Sequence, residues 1–452
     1  MCTWCSFLAG SSARVRSWIL GFFENSENKQ SDNEHIDIMY SSRRTGLTVR
    51  PRLLVLTSTY PRWPDDQEPG FVHELCKRLT DNFDVTVLSP HAPGATTVEI
   101  MDGVHVRRYR YAPAGLETLV NDGGIVTNLR RQPWKWLLVP GFLLKQAWAT
   151  WRLIRCLRPD VIHAHWLLPQ GLLIAMLGRI EPRTPPFLVT SHGADLFALR
   201  GRGLNALKRF VVRRATAVTV VSSAMRTELA AIGADVVKAE IQPMGVDLSE
   251  RFTPDPSLVR SQDEILFVGR LVEKKGLRYL IEAMPSILAD QPNAYLTVAG
   301  FGPEEAALRS QVQALGIDEK VNFIGAVAQT ALPALYRRAA VFVAPFVRAA
   351  SGDQEGLGLV CIEAMGCGCP VIASDLATSR DMFADGVDVI CVPQANSSAL
   401  VVAIQKSLSA PDKYSQAAIR NRQHLIQRFD WYAVSQRYMQ IFQRLSVIQK
   451  HE

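Results

Sequence analysis

The stretch that most constrains this chain runs from Gln354 to Ser374, QEGLGLVCIEAMGCGCPVIAS. It opens on an acid and two glycines, passes through an apolar segment of helical character, and closes after Pro370 on a short β-branched run. Between Glu355 and Asp375 the single charged side chain is Glu363. A lone carboxylate in apolar surroundings costs several kcal/mol unless something hydrogen-bonds to it. No cation is near in sequence, so its partner has to come from elsewhere in the fold or from a ligand. The helical rise from Glu355 to Glu363 would be roughly 12 Å, and Glu355 falls just before the helix. The pair therefore should not form a glycosidase dyad, whose carboxyls lie roughly 5 to 9.5 Å apart. Two readings stay open on these residues alone. The carboxylates touch two ends of one long polyhydroxylated ligand, or Glu355 complements a helix N-terminus and Glu363 has a protein partner.

Around that stretch, short apolar strands alternate with helices, which argues a parallel sheet. The first half reads as strands at 53–56, 85–88, 104–106, 160–163, 187–190 and 217–221, with helices at Phe71–Leu79 and around Phe142–Leu157. Pro243–Pro256 is punctuated by proline and reads as a linker. The second half repeats the pattern, with strands at 265–268, 295–298, 321–324, 341–344, 371–373 and 389–392. Its helices begin at Lys275 and at Glu304. A chain of 452 residues is long enough for two α/β domains that each bury an ample core.

Hydrophobic residues make up 48% of the chain and charged ones 21%, which excludes wholesale disorder. The net charge of +7 is unevenly placed. Gly123–Pro159 holds Arg130, Arg131, Lys135, Lys145, Arg152, Arg155 and Arg158 without an acid, and Leu196–Thr227 holds a second acid-free basic run. Trp134, Trp136, Trp148 and Trp151 accompany the first run, which favours an anionic membrane surface over nucleic acid. The bland alternative is a solvated basic face over a tryptophan-rich core. Residues 1–46 read as a polar tail whose first 23 positions are either an in-plane membrane anchor or simply a tail. No run approaches the ~20 residues of a membrane span. The cysteines lack zinc spacing and suggest a reduced, cytoplasmic chain, with the membrane's inner face as a possible place of work.

Several stations carry chemistry. Gly269-Arg270 ends a strand and Lys274-Lys275-Gly276 opens the next helix. Cations at a helix N-terminus oppose its dipole, and an anion there resolves the conflict, so Arg270 and Lys275 read as a clamp on a diphosphate. Gly300-Phe301-Gly302 follows a strand, but Glu305 stands where a dinucleotide fingerprint needs its third glycine. His192, just after a strand and before Gly193, lies where open α/β sheets place ligands. His163 and His165 read as cleft-lining or core residues rather than metal ligands. No Asp-x-Asp occurs between residues 51 and 430, which argues against a metal-held diphosphate.

Glu355, the seven residues that follow, Glu363 and the Gly368-x-Pro370 turn resemble the signature of retaining glycosyltransferases of family 4. Further stations match from about Leu53 to about Gln394. The resemblance implies the GT-B fold, two Rossmann-like parallel-sheet domains facing across a cleft. Residues 47–245 would form the acceptor domain and 257–429 the nucleotide-sugar domain, with a last helix at about 430–452 crossing back to the first. It implies that Glu355 meets hydroxyls of the donor sugar, that Glu363 holds the ribose diol, and that Arg270 and Lys275 bind phosphate. By the same resemblance His192 lies near the donor sugar and phosphate, and Gly300 and Gly302 lie beside the nucleotide. Gly356 and Leu357 are donor contacts, and Gly70 sits on a loop touching donor phosphate and acceptor. Family members often carry two glycines where Gly70 stands alone, and asparagine where Met244 precedes Gly245. These departures bear on the acceptor more than the donor.

The expectation is a metal-independent, retaining transfer of a hexose from a nucleotide-diphosphate sugar to a glycan or lipid-linked acceptor, in cell-surface polysaccharide or glycolipid synthesis. No cofactor is needed, and Arg270, Lys275 and helix N-termini take the place of a metal. Rival readings are a GT-B nucleotide-sugar epimerase and a non-catalytic, transferase-like partner subunit.

Overall fold

A computed structural model describes residues 50–63, 66, 70–121, 124–383 and 389–451; the expected tail at 1–46 lies outside the described residues. The first half carries β1 (Arg52–Leu56), β2 (Asp84–Pro90), β3 (Val98–Met101), β4 (Val104–Tyr109), β5 (Val161–His165), β6 (Phe187–Ser191), β7 (Ala217–Val220) and β8 (Ala239–Ile241). They form one sheet in the order β3-β4-β2-β1-β5-β6-β7-β8, parallel except at the edge, where β3 runs against β4. β5 and β6 are buried along their whole length, as expected for strands covered by helices on both faces. β5 runs two residues past the expected end, so His163 and His165 both belong to the strand.

The second half carries β9 (Glu264–Val268), β10 (Tyr295–Ala299), β11 (Val321–Gly325), β12 (Val341–Ala344), β13 (Val371–Ser374) and β14 (Ile390–Val392). These pair in parallel in the order β11-β10-β9-β12-β13-β14. Each sheet therefore reverses its strand order once, between β1 and β5 in the first and between β9 and β12 in the second. Loops leaving the carboxyl ends of strands at such a reversal splay apart and leave a crevice for a ligand.

The linker differs from a free connector. Met244, Val246, Leu248 and Phe252 are buried in it, and Val246 bonds through its N–H to the Phe429 carbonyl and through its carbonyl to the Trp431 N–H. The chain thus crosses between the halves twice, side by side, at Val246 and at Asp430. The last helix, Trp431–His451, then packs on the first half, where Phe442 meets Phe83 at 5.9 Å and His163 at 5.3 Å between ring centroids. No helix among the described residues is long and apolar enough to cross a membrane.

Candidate functional site

The loops that follow the two reversal strands of the second half build one wall. After β9 the chain turns through Gly269-Arg270-Leu271 and a short 3-10 turn, Glu273–Lys275, before the Leu277–Asp290 helix begins. Gly276, between turn and helix, has φ +68°, and a Cβ there would come within 1.8 Å of the Pro345 carbonyl oxygen. Only glycine lets the β9 loop lie directly on the β12 loop. That contact brings Lys275 to Glu355, Nζ to Oε2 at 2.8 Å, with both side chains mostly buried. Lys275 also lies over the Phe346 ring, 4.6 Å from its centroid. Burial by itself would raise the Glu355 carboxyl. The charges of Lys275 and Lys274, with hydrogen bonds from Lys275 and the Gly356 N–H, outweigh it and bring the group down to about 2.

This corrects the sequence argument for the clamp. The helix starts at Leu277 rather than Lys275, and the anion that answers Lys275 is a carboxylate of the chain itself. Arg270, on the same turn, donates from Nη2 to Thr127 Oγ1 of the first half at 3.4 Å. Gly300 and Gly302 act on this loop from behind. A Cβ at Gly300 would sit 1.9 Å from the Gly269 carbonyl, and one at Gly302 would sit 2.3 Å from that of Leu271. Their smallness seats the β10 loop against the β9 loop and so fixes where Arg270 stands.

The signature helix occupies Leu359–Gly366, with Glu355 on the loop before it, as the spacing predicts. Glu363 faces Tyr336, whose hydroxyl donates to Oε2 at 2.9 Å, and Gln329, whose Nε2 donates to Oε1 at 3.0 Å. Burial raises this carboxyl despite those two bonds. Its partners are neutral protein groups, which no sequence spacing reveals. Leu357 turns its side chain into the core, so a ligand contact there falls to its main chain.

The first half supplies the opposite wall. His165 ends β5 and His192 follows β6, and the two rings meet at Nδ1 and Nε2, 2.8 Å apart. Phe71 and Trp166 flank His192, with centroids at 4.9 and 5.2 Å. His163 bonds to Thr190 Oγ1 at 2.7 Å and stays in the core. Burial pulls His163 and His192 down to about 3 and takes His165 well below its ordinary 6.5. His192 retains some exposure. Among the described residues no group of histidines, cysteines and carboxylates is arranged to hold a metal ion.

The walls meet backbone to backbone at Gly193 and Gly356. A Cβ on Gly356 would lie 2.6 Å from the His192 carbonyl oxygen, and one on Gly193 would lie 3.1 Å from the Gly356 Cα. Backbone therefore meets backbone between His192 and Glu355, and the two expected catalytic residues stand on either side of that contact. Gly70 caps the Phe71–Leu79 helix at φ −84° with nothing within 4 Å of an added Cβ. The protein alone does not require glycine there. Sequence reasoning missed Tyr336, Gln329 and Thr127, and named His165 only as a cleft-lining or core residue. The other three left no trace in any spacing.

Two family models match, "Glycosyltransferase Family 4" over residues 71–250 and "Glycosyl transferases group 1" over 250–424. The chain is 29% identical over 274 residues to a GDP-mannose-dependent alpha-(1-6)-phosphatidylinositol monomannoside mannosyltransferase of Mycolicibacterium smegmatis, covering 57% of this chain and 70% of that one. It is 26% identical over 407 residues to a glycogen synthase of Mycobacterium tuberculosis, covering 86% and 94%. Among solved structures, sucrose-phosphate synthase from Thermosynechococcus elongatus superposes with a TM-score of 0.72 at 21% identity, over 88% of this chain and all of that one. The Anabaena protein HepE, solved with UDP and glucose, gives 0.65 at 18% identity over 87% of this chain. The chain belongs to the glycosyltransferases of family 4 and group 1, has their GT-B fold, and is an enzyme of the hexosyltransferase class.

Proposed function

We propose that the protein is a retaining transferase that moves a hexosyl group from a nucleotide-diphosphate sugar to a glycan or lipid-linked acceptor, in polysaccharide or glycolipid synthesis, without a metal. The observation that carries this is the Lys275–Glu355 pair set beside the backbone contact between the walls at Gly193 and Gly356. A cation and a sugar-binding carboxylate are thereby held together, as the junction of diphosphate and sugar requires. Arg270 adds a second cation on the same loop. Lys275 and Arg270 stabilise charge on the departing diphosphate beside a mostly buried ion pair. Glu355 accepts from sugar hydroxyls, and Glu363, oriented by Tyr336 and Gln329, accepts from the ribose diol.

The step is a front-side displacement. The bond from C1 to the phosphate oxygen breaks, a bond from C1 to the acceptor oxygen forms on the same face, and the acceptor proton moves to the departing phosphate. No side chain forms a covalent intermediate. The experiment is proton NMR of the first product formed from an α-linked donor. An α-glycoside before mutarotation supports the reading, and a β-glycoside overturns it. Activity should persist within twofold after chelation of divalent ions.

The acceptor side points to an anionic membrane surface. Trp134, Trp136, Leu137 and Leu144 are exposed together on the helical segment 133–157, next to exposed Arg130, Arg131 and Lys145. Trp151 and Lys135 are buried instead, with Trp151 donating to Glu181 and Lys135 to the Thr118 carbonyl, so the face is smaller than the composition suggests. Aromatic and aliphatic side chains with basic neighbours suit a lipid headgroup boundary, at about 1 kcal/mol per basic residue near it. Flotation should show binding to vesicles rich in acidic lipid that weakens with salt and with Trp136→Ser. Equal indifference to neutral and anionic vesicles contradicts it.

A further inference from the structure

His192 and His165 stand at the ends of adjacent parallel strands. The Trp166 N–H that follows His165 donates to the Thr190 carbonyl at 2.7 Å, which ties the end of β5 to β6. The two imidazoles share one hydrogen bond, His165 Nδ1 to His192 Nε2 at 2.8 Å, with ring planes 12° apart. A single proton occupies that bond, and the distance alone does not say whose it is. The far side of His165 decides it. His165 Nε2 is buried and has no hydrogen-bond partner. A buried orphan N–H is rarer in native structures than an underused acceptor, so the His165 proton belongs on Nδ1, where it has a partner. His165 then donates, and His192 Nε2 accepts. A neutral imidazole carries one proton, and that of His192 is left on Nδ1.

We propose that His165 is a positioning residue that sets the tautomer of His192, so that His192 offers the donor sugar or its phosphate an N–H rather than a lone pair. The inference rests on the donor-binding reading above. Burial keeps both rings neutral, so neither tautomer is lost to a second proton. Phe71 and Trp166 hold the His192 ring from its sides. Among the described residues no protein group bonds to His192 Nδ1, and the residue keeps part of its surface exposed. A ring fixed in this form donates to an oxygen and cannot take the acceptor's proton. That leaves the departing phosphate as the base, as a front-side displacement needs.

The test is a long-range proton–nitrogen correlation spectrum of the full chain labelled with 15N-histidine, without substrate, at pH 7.5. His165 and His192 should both show the Nδ1–H pattern. Finding His192 in the Nε2–H form overturns the proposal whatever the activity. His165→Asn keeps an N–H donor at about the same place and should retain transfer within about threefold. His165→Leu removes it. His192 should then lose its single tautomer and transfer should fall about tenfold, with nucleoside-diphosphate affinity unchanged within twofold. A leucine variant that transfers normally contradicts the proposal, as does one that loses nucleotide affinity together with melting temperature, because His165 would then be merely structural. If the leucine variant does not fold, the wild-type spectrum decides alone. Nδ1–H tautomers in a protein that binds no nucleotide would leave His165 in its positioning role and remove the function proposed for the site.

Discussion

His163 and His165 are two imidazoles shut away from water at the end of β5, and their neutrality weakens the fold in acid. Burial places His163 at about 3 and His165 well below 6.5. Above pH 6.5 folded and unfolded chains are both neutral at these positions and stability does not depend on them. Below it the unfolded chain takes up protons that the folded chain refuses, so stability falls with pH until the folded groups titrate. Between pH 7 and 5.5 each should remove on the order of 1 kcal/mol, at up to 1.36 kcal/mol per group and pH unit. Urea unfolding of wild type and His163→Gln, which keeps a donor for Thr190, checks this. His192, lowered in the same way, adds to the slope, so the variant should lose about a third of it, and an unchanged slope would show that another group is responsible. Glu355 works in a different window. Its folded value near 2 lies below the ordinary 4.5, so its contribution is present above 4.5 and fades only as pH falls from there toward 2. At this scale the sequence displays charged residues and conceals their partners. Glu363 was legible as a buried carboxylate in need of donors, but Tyr336 and Gln329 stand 27 and 34 residues away and are brought in by packing alone.

At the scale of elements, the β9 and β10 loops form one unit through Gly300 and Gly302. Gly300→Ala forces its Cβ to 1.9 Å from the Gly269 carbonyl, so the loop carrying Arg270 must move. Melting temperature and nucleotide affinity should drop together, by several degrees and tenfold or more. Gly70→Ala is the contrasting case. Its φ of −84° suits alanine and nothing of the protein lies within 4 Å, so the melting temperature should hold within about 2 °C. If phosphate or acceptor lies against it, transfer should still fall about tenfold. Thermal melts with initial rates separate the two, and a Gly70→Ala enzyme of normal rate would clear that loop of contact. Most strands and the Phe71–Leu79 helix were legible because buried parallel strands read as apolar runs. The edge strand β3 was not, because its exposed Val98 and Ile100 break the inside–outside pattern. The helix Arg202–Arg214 registered as a basic run because its charges crowd out its few buried positions, Lys208, Val211 and Val212.

At the scale of the whole molecule, two sheets that each reverse their strand order once come together where the loops carrying Gly193 and Gly356 meet. The side-by-side crossings at Val246 and Asp430 tie the halves on one side. Contacts such as the Ser223 N–H to Asp381 Oδ2 at 2.5 Å join them elsewhere. Alternation of strands and helices made the two-sheet plan readable. The closeness of the halves at Gly193 and Gly356 was not, because it joins residues 163 positions apart through backbone atoms that every residue shares.

The central claim is that a nucleotide sugar lies along the signature helix, ribose toward Glu363 and hexose toward Glu355. Calorimetric titration of nucleoside diphosphate into Glu355→Gln and Glu363→Gln, after both are shown to melt like wild type, tests it most directly. Glu363→Gln should weaken binding by roughly 1 to 3 kcal/mol as a charge-assisted bond becomes neutral. Glu355→Gln should bind the diphosphate as well as wild type or better, since Lys275 is released from its ion pair, while transfer falls tenfold or more. Lost affinity in Glu355→Gln with full affinity in Glu363→Gln would contradict the account and turn the ligand end for end.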